Sequence, residues 1–232
     1  MISIVIPVYN EASIVREATL DLCRKLDALS WDYELILTEN GSTDGTRKII
    51  AELAAQQPRI RCLEGDEANY GRALKRGILE ARGDEVICDE IDLCDVDFYQ
   101  RALPMLRAGA DLIVGSKAMK GANDARPVMR RVATRVITLM LRVATGFRGT
   151  DTHGLKAFRR ERLVEVARAC LVERDLFASE FVIRAQRMGR EVREIPISLQ
   201  EKRPPSTNLF RRVPRVLKGL VKLGWTIRVR HR

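Results

Sequence analysis

The sequence predicts an α/β domain built on a Rossmann-like, doubly wound, mostly parallel sheet. Three observations carry this reading. Apolar runs of strand length alternate with segments of helical spacing from residue 1 to residue 115. The runs are rich in Val, Ile and Leu, as buried strands are. Several of them end in short loops of acids, Gly, Ser and Asn, at the strand ends where open α/β sheets bind ligands. A chain of 232 residues has room for one large domain, or one domain with an appendage.

The elements follow in order. Ile2 to Val8 (ISIVIPV) is apolar and β-branched enough for a first buried strand, and Tyr9-Asn10-Glu11 turns into helical spacing over Ala12 to Leu29. Tyr33 to Thr38 (YELILT) is a second strand. It ends in Glu39-Asn40-Gly41-Ser42-Thr43-Asp44-Gly45-Thr46, a tight polar loop whose hydroxyls and carboxylate suit the cap of a helix over 47–56. Ile60 to Leu63 is a short third strand and Tyr70 to Ala81 a helix. Val86-Ile87-Cys88 is a fourth strand, followed by a helix near 97–108 and a strand over Ala110 to Gly115. Arg126 to Thr145 reads as a long helix. Arg130, Arg131, Arg135 and Arg142 interrupt its apolar residues, which excludes a membrane span. The strand-like LKAFRR, helices at 161–170 and near 179–188, and a strand over Glu191 to Leu199 complete the body.

Pro204-Pro205 marks a boundary, and charge changes there. Residues 201–232 hold ten Lys/Arg against one acid, Glu201, so the tail carries +9 of the chain's net +10. Val213, Val216, Leu217, Leu220, Val221 and Ile227 fall on one helical face of the tail, and Arg215, Lys218 and Lys222 on the other. A basic amphipathic helix of this kind fits an anionic membrane surface; docking on the body is the alternative. Nucleic acid is not expected, because no interleaved aromatics or nucleic-acid-binding motif accompany the charge. Five scattered cysteines without paired spacing and only two histidines argue for reduced thiols and against zinc. Met1 leads straight into a strand, so no signal peptide is expected, and the reduced thiols suit a cytoplasmic setting.

The stretch Val86 to Asp97 (VICDEIDLCDVD) concentrates the chemistry. A buried strand stops where Asp89, Glu90, Asp92, Asp95 and Asp97 begin. Glu90 and Asp92, two apart, share a side if the segment is extended. Two such carboxylates repel unless a cation or proton lies between them, and Mg²⁺ or Mn²⁺ on a substrate diphosphate is the usual partner. The plainer alternative is a solvated acidic loop in which Asp95 or Asp97 caps the next helix.

Seven segments stand in a familiar order: IPVYNE at 6–11, ENGSTDGT at 39–46, ANYGRALKRGILEARGD at 68–84, EID at 90–92, VGSK at 114–117, RPVMRR at 126–131 and DTHGLKAFRRE at 151–161. Over residues 1–200 the series resembles the family 2 glycosyltransferases of GT-A fold, and among them the polyprenyl-phosphate (dolichyl-phosphate) mannose synthases. The resemblance implies a nucleotide-sugar-binding half at 1–118 and an acceptor half at 119–200, ahead of the basic amphipathic tail that charge and spacing mark at 201–232. It implies that Pro7, Tyr9 and Glu11 lie along the nucleotide and that Glu39 takes the N–H groups of the base. It makes Asp92 and Glu90 the metal ligands, with Lys117, Arg130, Arg131 and Arg203 near the phosphates. The chain departs from the pattern in EN for DD, in EID for D-x-D, in Cys94 where a Gln is usual, and in PSTNL (205–209), which lacks the Lys of G-x-S-K-L.

The implied reaction is transfer of a hexose, mannose from GDP-mannose, to a polyprenyl phosphate, with inversion, at the cytoplasmic face of a membrane. A lipid phosphate is already ionised at neutral pH and needs positive charge beside it rather than a base. Asp151, with His153 near it, would serve instead if the acceptor were a sugar hydroxyl in polysaccharide or glycolipid synthesis. A module that binds nucleotide sugars without catalysis is the third alternative.

Overall fold

A computed structural model describes residues 1–199 and 218–227. The expected alternation is present. In chain order the elements are β1 (Ile2–Val8), α1 (Val15–Ala28), β2 (Tyr33–Glu39), α2 (Thr46–Gln56), β3 (Ile60–Leu63), α3 (Tyr70–Glu80), β4 (Glu85–Cys88), α4 (Val96–Arg107) and β5 (Leu112–Ser116). The second half contributes β6 (Asn123–Asp124), α5 (Val128–Thr145), β7 (Lys156–Arg159), α6 (Arg160–Ala169), a 3-10 turn at Arg174–Leu176, α7 (Phe177–Arg187), β8 (Val192–Pro196) and β9 (Ser198–Leu199). A last helix, α8, covers residues 218–227.

Seven strands form one sheet in the order β3-β2-β1-β4-β7-β5-β8. All pairs are parallel except those of β7, which runs antiparallel to both β4 and β5. The expected single strand over 191–199 is divided: β8 closes the main sheet, while β9 leaves it to pair with β6.

Alternation along β1 explains the two-layer core. Ile2, Ile4, Ile6 and Val8 enter one apolar cluster with residues of α1, α2 and α4, whereas Val5 enters the other with residues of α3, α6 and α7. Ser3 points to this second side, where its hydroxyl donates to Glu34 Oε1 at 2.6 Å and accepts from the Gly83 N–H at 2.8 Å. Helix α3 lies close on the sheet because Gly77 faces β1; a Cβ there would come within 2.2 Å of Val5 Cγ1.

Helix α8 packs on this second layer. Leu220, Leu223 and Ile227 are buried in one cluster with Leu141, Phe147 and Leu176, whereas Val221 and Trp225 face outward. The face that the sequence groups together is therefore divided between core and solvent. Pro204-Pro205, Arg203 and the PSTNL segment lie outside the described residues. Among the described residues no helix is long and apolar enough to cross a membrane.

Candidate active site

Parallel strands β1, β2, β4 and β5 all present their carboxyl ends to one rim of the sheet. Antiparallel β7 brings its first residue, Lys156, to the same rim, in register with Cys88 of β4 and Val114 of β5. The expected site residues on β1, β2, β4 and β5 therefore gather along one edge.

Pro7 is buried in β1 opposite Thr38 of β2, and Tyr9 stands exposed just beyond it. Asn10 adopts a left-handed backbone (φ 54°), with its side-chain oxygen accepting the Thr43 N–H at 2.8 Å. The Glu11 N–H donates to Thr46 Oγ1 at 2.8 Å, which locks the two loops together.

Glu39 ends β2 and is fully buried. Burial alone would push its carboxyl up, but the Ser42 N–H and the Arg47 guanidinium (Nη2 to Oε2, 3.1 Å) outweigh it and hold the group below its usual range. The carboxylate is thus already engaged within its own loop. Asn40 gives the EN departure a physical role: its side-chain oxygen accepts the Asn69 N–H at 2.7 Å and anchors the loop before α3. Asn69 in turn caps α3 by accepting from the Arg72 N–H at 3.1 Å.

At the tip of β4 the geometry differs from the extended segment the sequence suggests. The strand ends at Cys88, and Leu93 and Cys94 both donate their N–H groups to the Glu90 carbonyl, so residues 90–94 form a turn. Cys94 completes it at φ 47°. Glu90 and Asp92 are brought near each other by this turn and not by strand alternation. Burial first and the Asp92 charge second push the Glu90 carboxyl up, the signature of two like charges that a cation would relieve. Among the described residues there is no cluster of three or more metal-ligating side chains. A pair of carboxylates nonetheless fits a hard divalent ion that completes its shell with a substrate diphosphate and water. The plainer reading holds beside it: Asp95 caps α4, accepting from the Phe98 N–H at 3.0 Å. Asp89 is the anchor of the turn. Buried, and bonded by the Tyr99 hydroxyl and the Glu90 and Asp95 N–H groups, its carboxyl is pushed up to about 7 by burial.

Lys117 follows β5 and forms a buried ion pair with Asp151, Nζ to Oδ2 at 2.8 Å. The other Asp151 oxygen accepts the His153 N–H at 2.9 Å. Burial disfavours the Asp151 charge, but Lys117 and this N–H outweigh it and keep the carboxyl below its ordinary value. Asp151 is 1% exposed and its two oxygens are engaged, so it orients Lys117 more readily than it accepts a proton. His153 turns Nε2 toward the Asp175 carbonyl at 3.0 Å, which requires the proton on that nitrogen, while Nδ1 faces Thr152 Oγ1. Gly154 of the same loop passes so close to β5 that a Cβ would fall 1.6 Å from the Gly115 carbonyl oxygen.

Lys156 is a site residue the sequence reading passed over. It is buried, donates to the Gly154 carbonyl at 2.7 Å, and its charge, with those of Lys117 and Arg126, acts on Glu90. Its only sequence signal is a lysine at the head of an apolar strand, in LKAFRR. Arg126 forms a two-pronged pair with Asp124, both contacts at 2.8 Å. Arg130 and Arg131 lie in the first turns of α5, Arg130 partly buried and Arg131 exposed. The rim thus holds one acidic turn bordered by the buried cations Lys117 and Lys156. That arrangement suits a metal-bridged diphosphate whose leaving charge must be stabilised.

The chain is similar to known glycosyltransferases. The family model described as Glycosyl transferase family 2 matches residues 3–174. Glycosyltransferase AglD of Haloferax volcanii is 31% identical over 245 residues, covering all of this chain and 38% of that protein. An undecaprenyl-phosphate 4-deoxy-4-formamido-L-arabinose transferase of Photorhabdus laumondii is 32% identical over 210 residues, covering 87% of this chain and 60% of its own length. The chain therefore spans less than two thirds of the length of these two relatives. Among solved structures, glucosyl-3-phosphoglycerate synthase of Mycobacterium tuberculosis with Mn²⁺, UDP-glucose and phosphoglyceric acid superimposes with a TM-score of 0.65 at 20% identity, covering 97% of this chain and 79% of that one. At that identity the likeness speaks for the GT-A fold.

Proposed function

We propose, from the premise that this chain belongs to glycosyl transferase family 2, that it transfers a sugar from a nucleotide sugar to a polyprenyl phosphate with inversion at the anomeric carbon. The names of two relatives support the acceptor class, one an undecaprenyl-phosphate sugar transferase and another, from Trichomonas vaginalis, a dolichyl-phosphate beta-glucosyltransferase. The observation that carries the choice is the engagement of Asp151. A hydroxyl acceptor needs a carboxylate free to take its proton, and this one is held by Lys117 and a backbone N–H. A phosphate acceptor needs no base, only cations that offset repulsion between two phosphates.

In this reading Tyr9, Glu11 and the loop held by Glu39 seat the nucleoside. Glu90 and Asp92 would hold Mg²⁺ or Mn²⁺, which when bound supplies neutralising charge to the diphosphate. Lys117, fixed by Asp151, and Lys156 face the departing phosphates. Arg130, Arg131 and the positive end of α5 receive the acceptor phosphate. Arg203, outside the described residues, joins them on the resemblance alone. The donor we assign is GDP-mannose, again on the resemblance; the glucose in the relative's name makes a glucose nucleotide the competitor. The acceptor lies in a lipid layer, so the enzyme is assigned a peripheral position at the membrane surface.

The test is a panel of GDP- and UDP-sugars with Mn²⁺ or Mg²⁺, read by thermal stabilisation and by transfer to a polyprenyl phosphate. A donor at about 100 times its dissociation constant adds roughly 2.7 kcal/mol of stability. Transfer to a sugar hydroxyl but to no lipid phosphate would reverse the acceptor assignment. Donor binding without any transfer would favour the non-catalytic module.

A further inference from the structure

Two of the segments singled out in the sequence end in residues that the active rim does not use. Residues 81–84 (ARGD) lead from α3 into β4, and residues 158–161 (FRRE) carry β7 into α6. Strands β1 and β4 begin, and antiparallel β7 ends, at the rim of the sheet opposite the acidic turn, so the two segments meet there. The Arg160 N–H donates to the Asp84 carbonyl at 2.8 Å, and the Asp84 N–H to the Met1 carbonyl at 3.1 Å. Beside them lies a cavity of about 490 Å³, within the range of small-molecule sites.

Seven of the ten residues that line the cavity are charged, so its ligand is polar. The four arginines among them are engaged to different degrees. Arg107 is held by Glu85, Nε to Oε1 at 3.1 Å and Nη2 to Oε2 at 3.0 Å. Arg159 gives Nη2 to Asp111, which does not line the cavity. Arg82 and Arg160 pair with no carboxylate among the described residues. The Nε atoms of Arg159 and Arg160 are buried without an acceptor, a cost that an anion drawing either guanidinium to itself would remove. The backbone beneath is fixed. The Arg82 N–H donates to Glu34 Oε1 at 2.7 Å and the Gly83 N–H to Ser3 Oγ at 2.8 Å. A Cβ on Gly83 would stand 2.7 Å from the Ser3 nitrogen, so the turn that carries Arg82 sits hard against β1.

We propose that this cavity is a second anion site, which binds a soluble phosphate monoester. Two guanidinium groups without carboxylates match the roughly two negative charges of such an ester at neutral pH, and their planar forks match its oxygens. Inorganic phosphate would leave most of the volume empty, whereas the Asp84 and Glu161 carboxylates can accept hydroxyl groups of an attached sugar or polyol. A lipid phosphate offers the same headgroup, but apart from Met1 and Leu106 the lining gives acyl chains nothing apolar to rest on. The site is separate from the active rim. Strands β4 and β7, four residues each, run between the two rims, and four residues of strand span about 10 Å, too far for one phosphate to touch both.

The test uses the full chain and titration calorimetry at constant ionic strength, with glucose 6-phosphate, glycerol 3-phosphate, inorganic phosphate and sulfate as probes. At least one of the two esters is expected to bind threefold or more tighter than inorganic phosphate or sulfate. The Arg82→Gln, Arg160→Gln double variant is expected to lose at least tenfold in affinity for that ester while keeping its nucleotide-sugar affinity and its transfer rate. Should that variant melt early, Arg82→Gln alone, at an exposed position, is expected to lose at least threefold. Lys117→Gln, at the active rim, is expected to leave ester binding unchanged. Failure of the parent to bind either ester overturns the proposal, as does equal affinity in the parent and the arginine variants. Loss of ester binding in Lys117→Gln would place the ester at the active rim, and equal binding of sulfate would reduce the site to unspecific charge; either result also overturns it. Vesicles of phosphatidic acid form the last arm: binding to them that the arginine variants lose, with no binding of either soluble ester, would make a lipid headgroup the ligand instead.

Discussion

At the scale of single residues, the site is governed by which carboxylates are already bound. Asp92 lies in the turn after β4, partly exposed, and its charge raises the Glu90 carboxyl. Asp92→Asn should therefore cut transfer on the order of a hundredfold or more, with the melting temperature unchanged or slightly raised, because like-charge repulsion is removed. Parallel assays of transfer and melting, each with and without Mn²⁺, check this; equal activity in parent and variant would end the metal role. Glu39 is the opposite kind of residue, fully buried and bonded to Ser42 and Arg47. Glu39→Gln keeps the shape but loses the charge that holds Arg47, so the loop beneath the nucleoside loosens. The expected result is donor affinity about tenfold weaker, with the rate at saturating donor little changed. A collapsed maximal rate at unchanged affinity would instead place Glu39 in the chemistry. Both acids were legible as candidates from their positions at strand ends. What the sequence could not display was their state of engagement, and for the same reason Asp151 read as a candidate base until its ion pair with Lys117 was seen.

At the scale of elements, β7 explains both a strength and a weakness of the sequence reading. The strands from β1 to β4 lie within a residue or so of their expected ends, since apolar runs closed by polar loops define them locally. Strand direction is not local information, so nothing in LKAFRR reveals that it enters between β4 and β5 antiparallel and lifts Lys156 to the rim. Helix α5 shows the same limit: its periodicity reveals two faces, but only the packed molecule decides which one meets the core. The far end of β7 is tied through Asp111, just ahead of β5. One Asp111 oxygen receives Arg159 of β7 and Arg162 of α6, and the other accepts the Glu191 N–H before β8 at 3.0 Å. Burial opposes its ionisation, but Arg159, the N–H and Arg162 outweigh it and hold its folded pKa below the unfolded value. A depressed carboxyl contributes stability that is complete above the unfolded pKa of about 4 and lost as pH falls through the lower folded value. Asp111→Asn should cost about 2–3 kcal/mol at pH 7, with the gap to the parent narrowing below about pH 4. Denaturant unfolding of both proteins from pH 7 down to pH 3 measures it, and a gap that stays constant with pH would remove the charge from the explanation.

At the scale of the whole molecule, α8 divides residues 218–227 between core and solvent. Composition announces it as basic and amphipathic, but hydrophobic patterning cannot tell a protein core from a lipid interior, since both accept the same side chains. The structure distributes the residues: Leu220, Leu223 and Ile227 enter the core beside Leu176, and Val221 and Trp225 remain outside next to α5. The two faces should therefore fail differently when altered. Leu223→Ala removes a fully buried side chain and leaves a cavity in the second layer, which should cost about 2–4 kcal/mol of unfolding free energy. Vesicle affinity, measured well below the unfolding transition, should stay near that of the parent. Trp225→Ala should leave stability within about 0.5 kcal/mol, as exposed substitutions do, and weaken binding to anionic vesicles severalfold. The donor-side residues on β1, β2, β4 and β5 all precede residue 118, so neither change should alter nucleotide-sugar affinity at temperatures where both variants are folded. Urea titration, vesicle co-sedimentation and donor titration on the same three proteins separate these effects. If Leu223→Ala and Trp225→Ala lose stability equally, α8 is a structural helix on both faces and makes no membrane contact. If Leu223→Ala costs nothing in stability, α8 is not docked on the body, and the division of its two faces is wrong.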